Sequence, residues 1–158
     1  MGENVIYLTK NGLEKMKEEY ESLKNIKKAL TKEERPFPFE GDNLNPEYYI
    51  FWEDFDLLQK RLLELEAILH KAKLIALPKK EEQNKVQIGS TVTLEDADGK
   101  INEFTILSTF EANPAEGKIS AESPVGKALL GHKVGEEVAI TSPINVVYKI
   151  KKIKHNLN

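Results

Sequence analysis

The chain has 158 residues, of which 40% are hydrophobic and 31% are charged, and its formal net charge is −3. This small net charge excludes a generally basic nucleic-acid-binding protein, so any contact with RNA or DNA has to be local. The sequence contains no cysteine, which excludes disulfide bonds, thiol catalysis and cysteine-ligated zinc. It shows neither an apolar run near the ~20 residues that span a membrane nor a signal-peptide core, so we expect a cytoplasmic protein.

The first predicted element is a long amphipathic helix. Thr9 or Asn11 is expected to cap its start by accepting hydrogen bonds from the free amides of the first turn. Pro36 and Pro38 disfavour the helical conformation in the residues before them, so the helix is predicted to end near Glu34. Residues at heptad spacing predict a seam that packs against a second helix. These seam residues are Leu13, Met16, Tyr20, Leu23, Lys27 and Leu30.

A second helix of about 30 residues is predicted to follow, with a length of roughly 45 Å at 1.5 Å per residue. It is expected to end near Leu77, because Pro78 cannot continue it. Two seams that run in opposite directions predict an antiparallel two-helix coiled coil. The seam of the second helix is expected to contain Leu58, Leu62, Leu65, Leu69, Ala72 and Ala76.

The segment Arg35–Tyr49, here called the tip, joins the two helices. It holds three prolines and a glycine, so the chain is expected to reverse direction there. From Glu33 to Asp56 there are eight acidic residues and one arginine, a net charge of 1 − 8 = −7. Carboxylate oxygens are ligands that Mg²⁺ prefers, but a few of them on a turn would bind it weakly unless another protein completed the coordination. The candidate ligands are Glu40, Asp42 and Glu47, and the alternative, which composition alone favours, is an acidic turn exposed to solvent.

Four lysines lie on the half of the first helix that precedes the tip. A run of lysines on a helix is usually a solvated face. The alternative is that a polyanion such as RNA binds along this face. The four candidates are Lys24, Lys27, Lys28 and Lys32.

The polar segment 79–85 predicts a linker between a helical domain of residues 1–78 and a second domain of residues 86–158. From Val86 the hydrophobic period changes to two, which predicts a small antiparallel sheet. Ser123 and Pro124 are expected to open one short helix as its cap and first residue. The predicted fold class is therefore α+β. The predicted strands are 91–95, 104–107, 118–120, 138–140 and 146–153, with a hairpin turn at Asp98-Gly99.

Conventional catalytic motifs are absent from the sequence. His70, His132 and His155 have no metal-ligand neighbour at helical spacing, so we expect none of them to be catalytic. There is no nucleophile elbow, phosphate-binding loop or glycine-rich dinucleotide turn.

Several stretches follow one another along nearly the whole chain, among them Tyr7–Lys24, Gly41–Tyr48, Leu62–Ile75 and Gly117–Val138. Together they resemble the Gre family of bacterial transcript-cleavage factors. Tyr7–Lys24 (YLTKNGLEKMKEEYESLK) resembles the start of the family's coiled coil, and Leu62–Ile75 (LLELEAILHKAKLI) its return helix. Gly41–Tyr48 (GDNLNPEY) is similar to the family's tip motif GDLxENAEY. Gly117–Val138 (GKISAESPVGKALLGHKVGEEV) resembles its FKBP-like C-terminal domain.

The resemblance implies a monomeric factor that binds bacterial RNA polymerase with its C-terminal domain at the rim of the secondary channel. Ser123, Pro124 and Lys127 fall on the family's polymerase-contacting segment. The coiled coil of such a factor enters the channel. Acids at its tip then help to hold a Mg²⁺ ion at the polymerase active site, where water is activated to cut backtracked RNA. The factor is not itself an enzyme, and its basic face would accompany the nascent RNA 3′ segment.

The tip departs from the family pattern at one position. Asp42, Asn45 and Glu47 match the motif, but the intervening segment is one residue shorter and the family's second acid falls on Leu44, which cannot coordinate Mg²⁺. Either Glu40 or Glu47 replaces the missing acid, or the cleavage activity is weak or lost. In the second case the chain would regulate or inhibit the polymerase by binding in its channel.

A third hypothesis, from a different class, is a proline isomerase, because the C-terminal domain resembles FKBP. That activity requires an aromatic-lined pocket. The domain has few aromatic residues to build one, namely Phe104, Phe110 and Tyr148, so we disfavour this hypothesis.

Overall fold

A computed structural model describes residues 4–141 and 144–155. The chain divides into two compact units, one of Leu13–Lys71 and one that combines the start of the chain up to Gly12 with the segment from Ala72 onward. This division differs from the predicted boundaries (1–78, 79–85 and 86–158), because residues on both sides of the two long helices belong to the unit that contains the C-terminal sheet. None of the described helices combines the length and apolar character needed to cross a membrane.

Helices α1 (Lys10–Lys32) and α2 (Pro46–Lys71) form the predicted antiparallel hairpin. Every predicted seam position of α1 is buried or half-buried, whereas the positions between them are mostly exposed. On α2 the side chains of Leu62, Leu65 and Ile68 are buried. With 26 residues, α2 is roughly 39 Å long at 1.5 Å per residue. The coiled-coil part of the predicted fold class is thus confirmed.

A bidentate ion pair also joins the two helices. The Arg61 guanidinium donates to both carboxylate oxygens of Glu19, at 2.7 Å and 3.0 Å. These hydrogen bonds hold the pKa of Glu19 below its ordinary value. Paired donors in this planar geometry make the contact more specific than a single surface ion pair.

Helix α2 ends at Lys71, so the prediction that it continues to Leu77 with Ala72 and Ala76 in the seam is wrong. The next residues form strand β4 (Ala72–Leu74), which pairs in parallel with β1 (Ile6–Leu8). The Ile75 amide then donates to the Leu8 carbonyl at 2.9 Å. The strand pairing provides hydrogen bonds for backbone groups that would otherwise bond within a longer helix. Both Leu8 and Ile75 are buried.

Thr9, one of the two predicted candidates, caps α1. Its Oγ1 accepts a hydrogen bond from the Gly12 amide at 3.0 Å, while its own amide donates to the Glu111 carboxylate at 2.9 Å. The Thr9 hydroxyl donates to the other Glu111 oxygen. A Cβ atom at position 12 would overlap the Glu111 side chain, so glycine permits this contact. A carboxylate at this end of a helix is favourable, because it lies at the positive end of the helix dipole.

The C-terminal sheet consists of β5 (Ser90–Glu95), β6 (Ile101–Leu107), β7 (Lys118–Ser120), β8 (Glu137–Ile140) and β9 (Val146–His155). Their order in the sheet is β7-β6-β5-β9-β8. Helix α3 (Pro124–Leu129) packs against it, and β5 carries a bulge between Thr93 and Leu94. All neighbouring strands are antiparallel except β6 and β7, which are parallel. The prediction of a fully antiparallel sheet is therefore wrong for this pair.

The parallel pair arises because the chain leaves β6 and crosses back over residues 108–117, which include a short 3₁₀ helix (Pro114–Glu116). A connection of this length can return the chain to the start of its neighbour, whereas a tight turn cannot. One apolar core lies between the sheet and α3. It contains Val86, Val92, Leu94, Ile106, Leu129, Val138, Ile140 and Ile150.

Candidate functional site

The tip contains a small hairpin. Strands β2 (Phe39–Glu40) and β3 (Asn43–Leu44) pair in antiparallel register, which places Phe39 opposite Leu44 and Glu40 opposite Asn43. Gly41 occupies the first position of the two-residue turn with φ of 63°. That is the position at which a type II′ hairpin turn requires glycine. The hairpin formed by Phe39–Leu44 is called the tip hairpin below.

Asn45 connects the tip hairpin to α2. Its side-chain amide donates to the Phe37 carbonyl at 2.9 Å, and its Oδ1 accepts from the Glu47 amide at 3.0 Å. Its backbone amide donates to the Pro38 carbonyl at 3.0 Å. Asn45 therefore caps α2, with Pro46 in the favourable first helical position, and holds the strand that leads into the hairpin.

An aromatic cluster supports the tip from the first turns of α2. Trp52 lies edge-to-face with Phe51, Phe55 and Tyr48, at centroid distances of 5.4–6.2 Å. The Arg35 guanidinium lies 5.3 Å from the centre of the Trp52 ring, within the range of a cation–π contact. Neither Arg35 nor Trp52 was among the predicted site residues, although the aromatic run YYIFWEDF indicates an aromatic cluster next to the tip. Here aromatic rings extend the leucine seam towards the tip.

All three predicted metal ligands are exposed at the tip. Glu40 is the last residue of β2, Asp42 occupies the second position of the turn, and Glu47 is in the first turn of α2. Within residues 4–141 and 144–155, no group of three or more histidine, aspartate or glutamate side chains is placed to hold a metal ion. Oxygen ligands of this type fit Mg²⁺, but their arrangement fits a contribution to a shared coordination shell rather than a complete site.

The four lysines of α1 do not share one environment. Lys24, Lys28 and Lys32 are exposed, and their i, i+4 spacing aligns them along one face of the helix. Lys24 also lies 5.8 Å from the centre of the Tyr20 ring. Lys27 is half-buried at a seam position and donates to Gln59 of α2 at 3.3 Å. The geometry therefore leaves three of the four lysines available to an external polyanion.

Ser123 and Pro124 open α3 as predicted. The Ser123 hydroxyl accepts from the Gly126 amide at 3.0 Å and donates to the Ser120 carbonyl at 2.7 Å, so it is occupied as a helix cap. Pro124 and Lys127 are exposed on the outer face of the helix. A docking partner would therefore meet Pro124 and Lys127, while Ser123 positions them.

The three histidines have separate surroundings. The His155 Nε2 donates to the Gln83 carbonyl at 2.8 Å, and its Nδ1 hydrogen-bonds with the buried Ser90 hydroxyl at 3.2 Å. His132 hydrogen-bonds Glu136 and thereby lowers the pKa of that carboxyl. His70 is exposed in the last turn of α2. These roles of His132 and His155 are structural, because each ring is held by a local partner.

The aromatic residues of the C-terminal domain do not gather into one pocket. Phe104 and Tyr148 pack against the core of the sheet, and Phe110 is exposed. A surface groove of about 340 Å³ on this domain is lined by other residues, among them Glu95, Glu137 and Lys149. The aromatic pocket that a proline isomerase requires is thus not assembled from these three side chains.

Comparison with known proteins points to one family. Residues 80–155 match the family described as transcription elongation factor, GreA/GreB, C-term. The transcription elongation factor GreA of Thermomicrobium roseum is 39% identical over 145 residues, which cover 90% of this chain and 92% of that protein. GreA of Nautilia profundicola is 40% identical over 150 residues, which cover 92% of each chain.

Among solved structures, GreA factor homolog 1 (Gfh1) of Thermus thermophilus is 26% identical and aligns with 96% of this chain and 99% of that chain, with a TM-score of 0.43. The two GreA proteins each align with 90% or more of this chain. On the strength of that coverage and identity, the chain belongs to the GreA/GreB family of transcription elongation factors.

Proposed function

We propose that this chain binds bacterial RNA polymerase at its secondary channel and promotes the cleavage of backtracked RNA. The observation that carries the proposal is its similarity, over at least 90% of its length, to proteins named transcription elongation factor GreA. In this role the chain performs no reaction alone, and the polymerase supplies the active site. Exposed Lys24, Lys28 and Lys32 would lie along the nascent RNA, whose phosphates they can neutralise.

The tip supports a part in metal-assisted hydrolysis. Asp42 lies at the outermost turn of the tip hairpin, and Glu40 and Glu47 flank it in sequence. Their carboxylates would complete the shell of a Mg²⁺ ion held mainly by the polymerase. Such an ion lowers the pKa of bound water and stabilises the charge of the phosphodiester transition state. The residues of this chain would supply anionic ligands and hold them on a hairpin that Asn45 fixes to α2.

A channel-binding regulator without cleavage activity is the second candidate. The observation that favours it is Leu44, an exposed apolar residue that pairs with Phe39 in the tip hairpin. The resemblance to the family motif implies an acid at this position. Binding of the channel would then block it without adding a second carboxylate. Both candidates require polymerase binding, and they differ only in cleavage.

An RNA-cleavage assay on stalled elongation complexes of the matching polymerase separates the two candidates. If the first is correct, the wild type accelerates Mg²⁺-dependent cleavage and Asp42→Asn loses this effect while it still binds, because the amide keeps the shape and removes the charge. Glu40→Gln and Glu47→Gln identify which residue replaces the missing acid. Full cleavage by Asp42→Asn would contradict the metal-ligand role.

Leu44→Glu restores the acid at the position where the family has one. If the wild type cleaves weakly, this variant should cleave faster, and the gain should depend on Mg²⁺ concentration. Leu44→Gln is the matched control, since it has the same length and polarity without the charge. An equal gain in both variants would show that loss of the leucine, rather than a new metal ligand, is responsible.

A further inference from the structure

The tip hairpin has two chemically different faces. Residues directly opposite each other in an antiparallel pair project to the same side, so Phe39 and Leu44 share one face and Glu40 and Asn43 share the other. Both apolar side chains are more than half exposed, Phe39 at 58% and Leu44 at 59%. The apolar face is therefore formed by a cross-strand pair that is not covered within its own unit.

Further exposed apolar side chains surround this pair in sequence. Phe37, Tyr49 and Ile50 are also at least half exposed, so five large apolar side chains lie within the 14 residues from Phe37 to Ile50. Elsewhere in the described residues of α1 and α2, the only exposed large apolar side chains are those of Ile26, Leu57 and Leu63. Scattered apolar residues are normal on a surface, but such a concentration marks an interaction site.

The charges around the apolar residues indicate the chemistry of the partner. All eight carboxylates between Glu33 and Asp56 are exposed, and the single arginine of that segment, Arg35, lies against the Trp52 ring. This acidic rim repels the phosphates of a nucleic acid and attracts a basic protein surface.

We propose that the tip hairpin is an apolar wedge, whose Phe39–Leu44 face binds an apolar depression rimmed by basic side chains on RNA polymerase. The inference rests on the proposed function for the identity of the partner. It adds a contact that holds the tip in place independently of any carboxylate that reaches a metal ion. Burial of one leucine contributes enough free energy to change affinity by roughly 10- to 100-fold.

The test compares the affinities of full-length variants for the matching core polymerase in the absence of nucleic acid. Leu44→Ser should weaken binding about tenfold, and the double variant Phe39→Ser/Leu44→Ser should weaken it further. The matched control is Leu63→Ser, which makes the same change at a leucine of α2 that is 66% exposed and outside the tip. It should bind as the wild type does. Emission of Trp52, the only tryptophan of the chain, verifies that each free variant keeps its tip folded.

The outcomes separate the wedge from the proposed function. If Leu44→Ser and the double variant bind polymerase as tightly as the wild type does, the wedge is wrong and the proposed function is unaffected. An equal loss in Leu63→Ser also overturns it, since the effect would not be specific to the tip. A loss seen only in backtracked complexes would assign the apolar face to RNA and overturn the protein contact. If the wild type does not bind polymerase at all, both proposals are wrong.

Discussion

Leu44 has a different meaning in the sequence and in the structure. In the sequence it marks a missing acid, whereas in the structure it pairs with Phe39 and forms half of an apolar face. The shortened segment closes into a two-residue turn that needs Gly41 at a positive φ. The acids Glu40 and Asp42 are therefore presented by a hairpin.

Gly126 shows how one residue controls the packing of α3. A Cβ atom at this position would lie 2.1 Å from the Ser120 carbonyl oxygen and 3.0 Å from the Ala121 Cα. These are backbone atoms that cannot move aside cheaply. We expect Gly126→Ala to lower the free energy of unfolding by about 1–3 kcal/mol, as overpacking does.

Urea denaturation monitored by circular dichroism measures this effect. Lys127→Ala is the control on the same helix, because its side chain is exposed and its loss should change stability by less than about 0.5 kcal/mol. If Gly126→Ala is as stable as the wild type, the close approach of α3 to the Ser120 carbonyl is wrong.

At the level of elements, the coiled coil combines a leucine seam with an aromatic end. Leu62, Leu65 and Ile68 are buried along the middle and end of α2. Near the tip, Trp52 and its aromatic neighbours pack together instead. Aromatic rings fill more space than leucine at the same spacing and hold defined edge-to-face geometries. We infer that this cluster stabilises the base of the tip hairpin.

Leu65→Ala tests the seam. Leu65 is completely buried, so its truncation should lower the free energy of unfolding of the coiled-coil unit by about 2–5 kcal/mol. Differential scanning calorimetry should show the transition of this unit at a lower temperature. Leu63→Ala, at an exposed position of the same helix, should leave it in place. Equal effects of the two substitutions would contradict the seam register.

The Glu19–Arg61 pair predicts a pH dependence of the coiled coil. Because Arg61 holds the pKa of Glu19 below 4.5 in the folded chain, the pair stabilises the fold above that value and is lost as the pH falls through the folded pKa. At neutral pH, Glu19→Gln should lower the free energy of unfolding by about 0.2–1 kcal/mol, since the pair is partly exposed.

Denaturation series at several pH values measure this difference, which should shrink on acidification below pH 4.5. Glu66→Gln removes the charge of another exposed carboxylate on α2 and serves as the control for general charge effects. A wild-type advantage over Glu19→Gln that stays constant down to full protonation would show that the hydrogen bonds, and not the carboxylate charge, provide the stabilisation.

At the level of the whole molecule, the proposed docking and tip functions lie in different compact units. Pro124 and Lys127 are exposed on α3 of the sheet unit, whereas the tip belongs to the coiled-coil unit. Pro124→Arg should therefore weaken polymerase binding, while Asp42→Asn should remove cleavage and keep binding, because sites without shared partners act independently.

Pro124→Arg tests the docking surface. A long charged side chain at this exposed position should weaken polymerase binding severalfold and change the melting temperature by only about a few degrees. Pro114→Arg is the matched control, since Pro114 is also exposed and also begins a short helix of the same domain. Equal binding by both variants would remove α3 from the proposed docking surface.

Periodicity and capping residues were sufficient to predict the two long helices, the strands of the C-terminal sheet and the short helix α3. The heptad seams, the Thr9 cap, the strands of the C-terminal sheet and the Ser123 cap all depend on neighbours within a few residues. The resemblance of several ordered stretches to one family likewise needed no structure. Such features are visible in a sequence because their interactions are local or repeat along it.

Features that join distant segments required the tertiary structure. Strand β4 ends α2 early because it pairs with residues 6–8, far away in the sequence. The parallel pairing of β6 and β7 and the contact of Glu111 with Thr9 are equally nonlocal. At the tip, composition revealed the acids but not the hairpin that carries two of them, nor the pairing of Leu44 with Phe39. Only the folded backbone decides these contacts, because a residue's partner across a strand depends on register and turn geometry rather than on its own type.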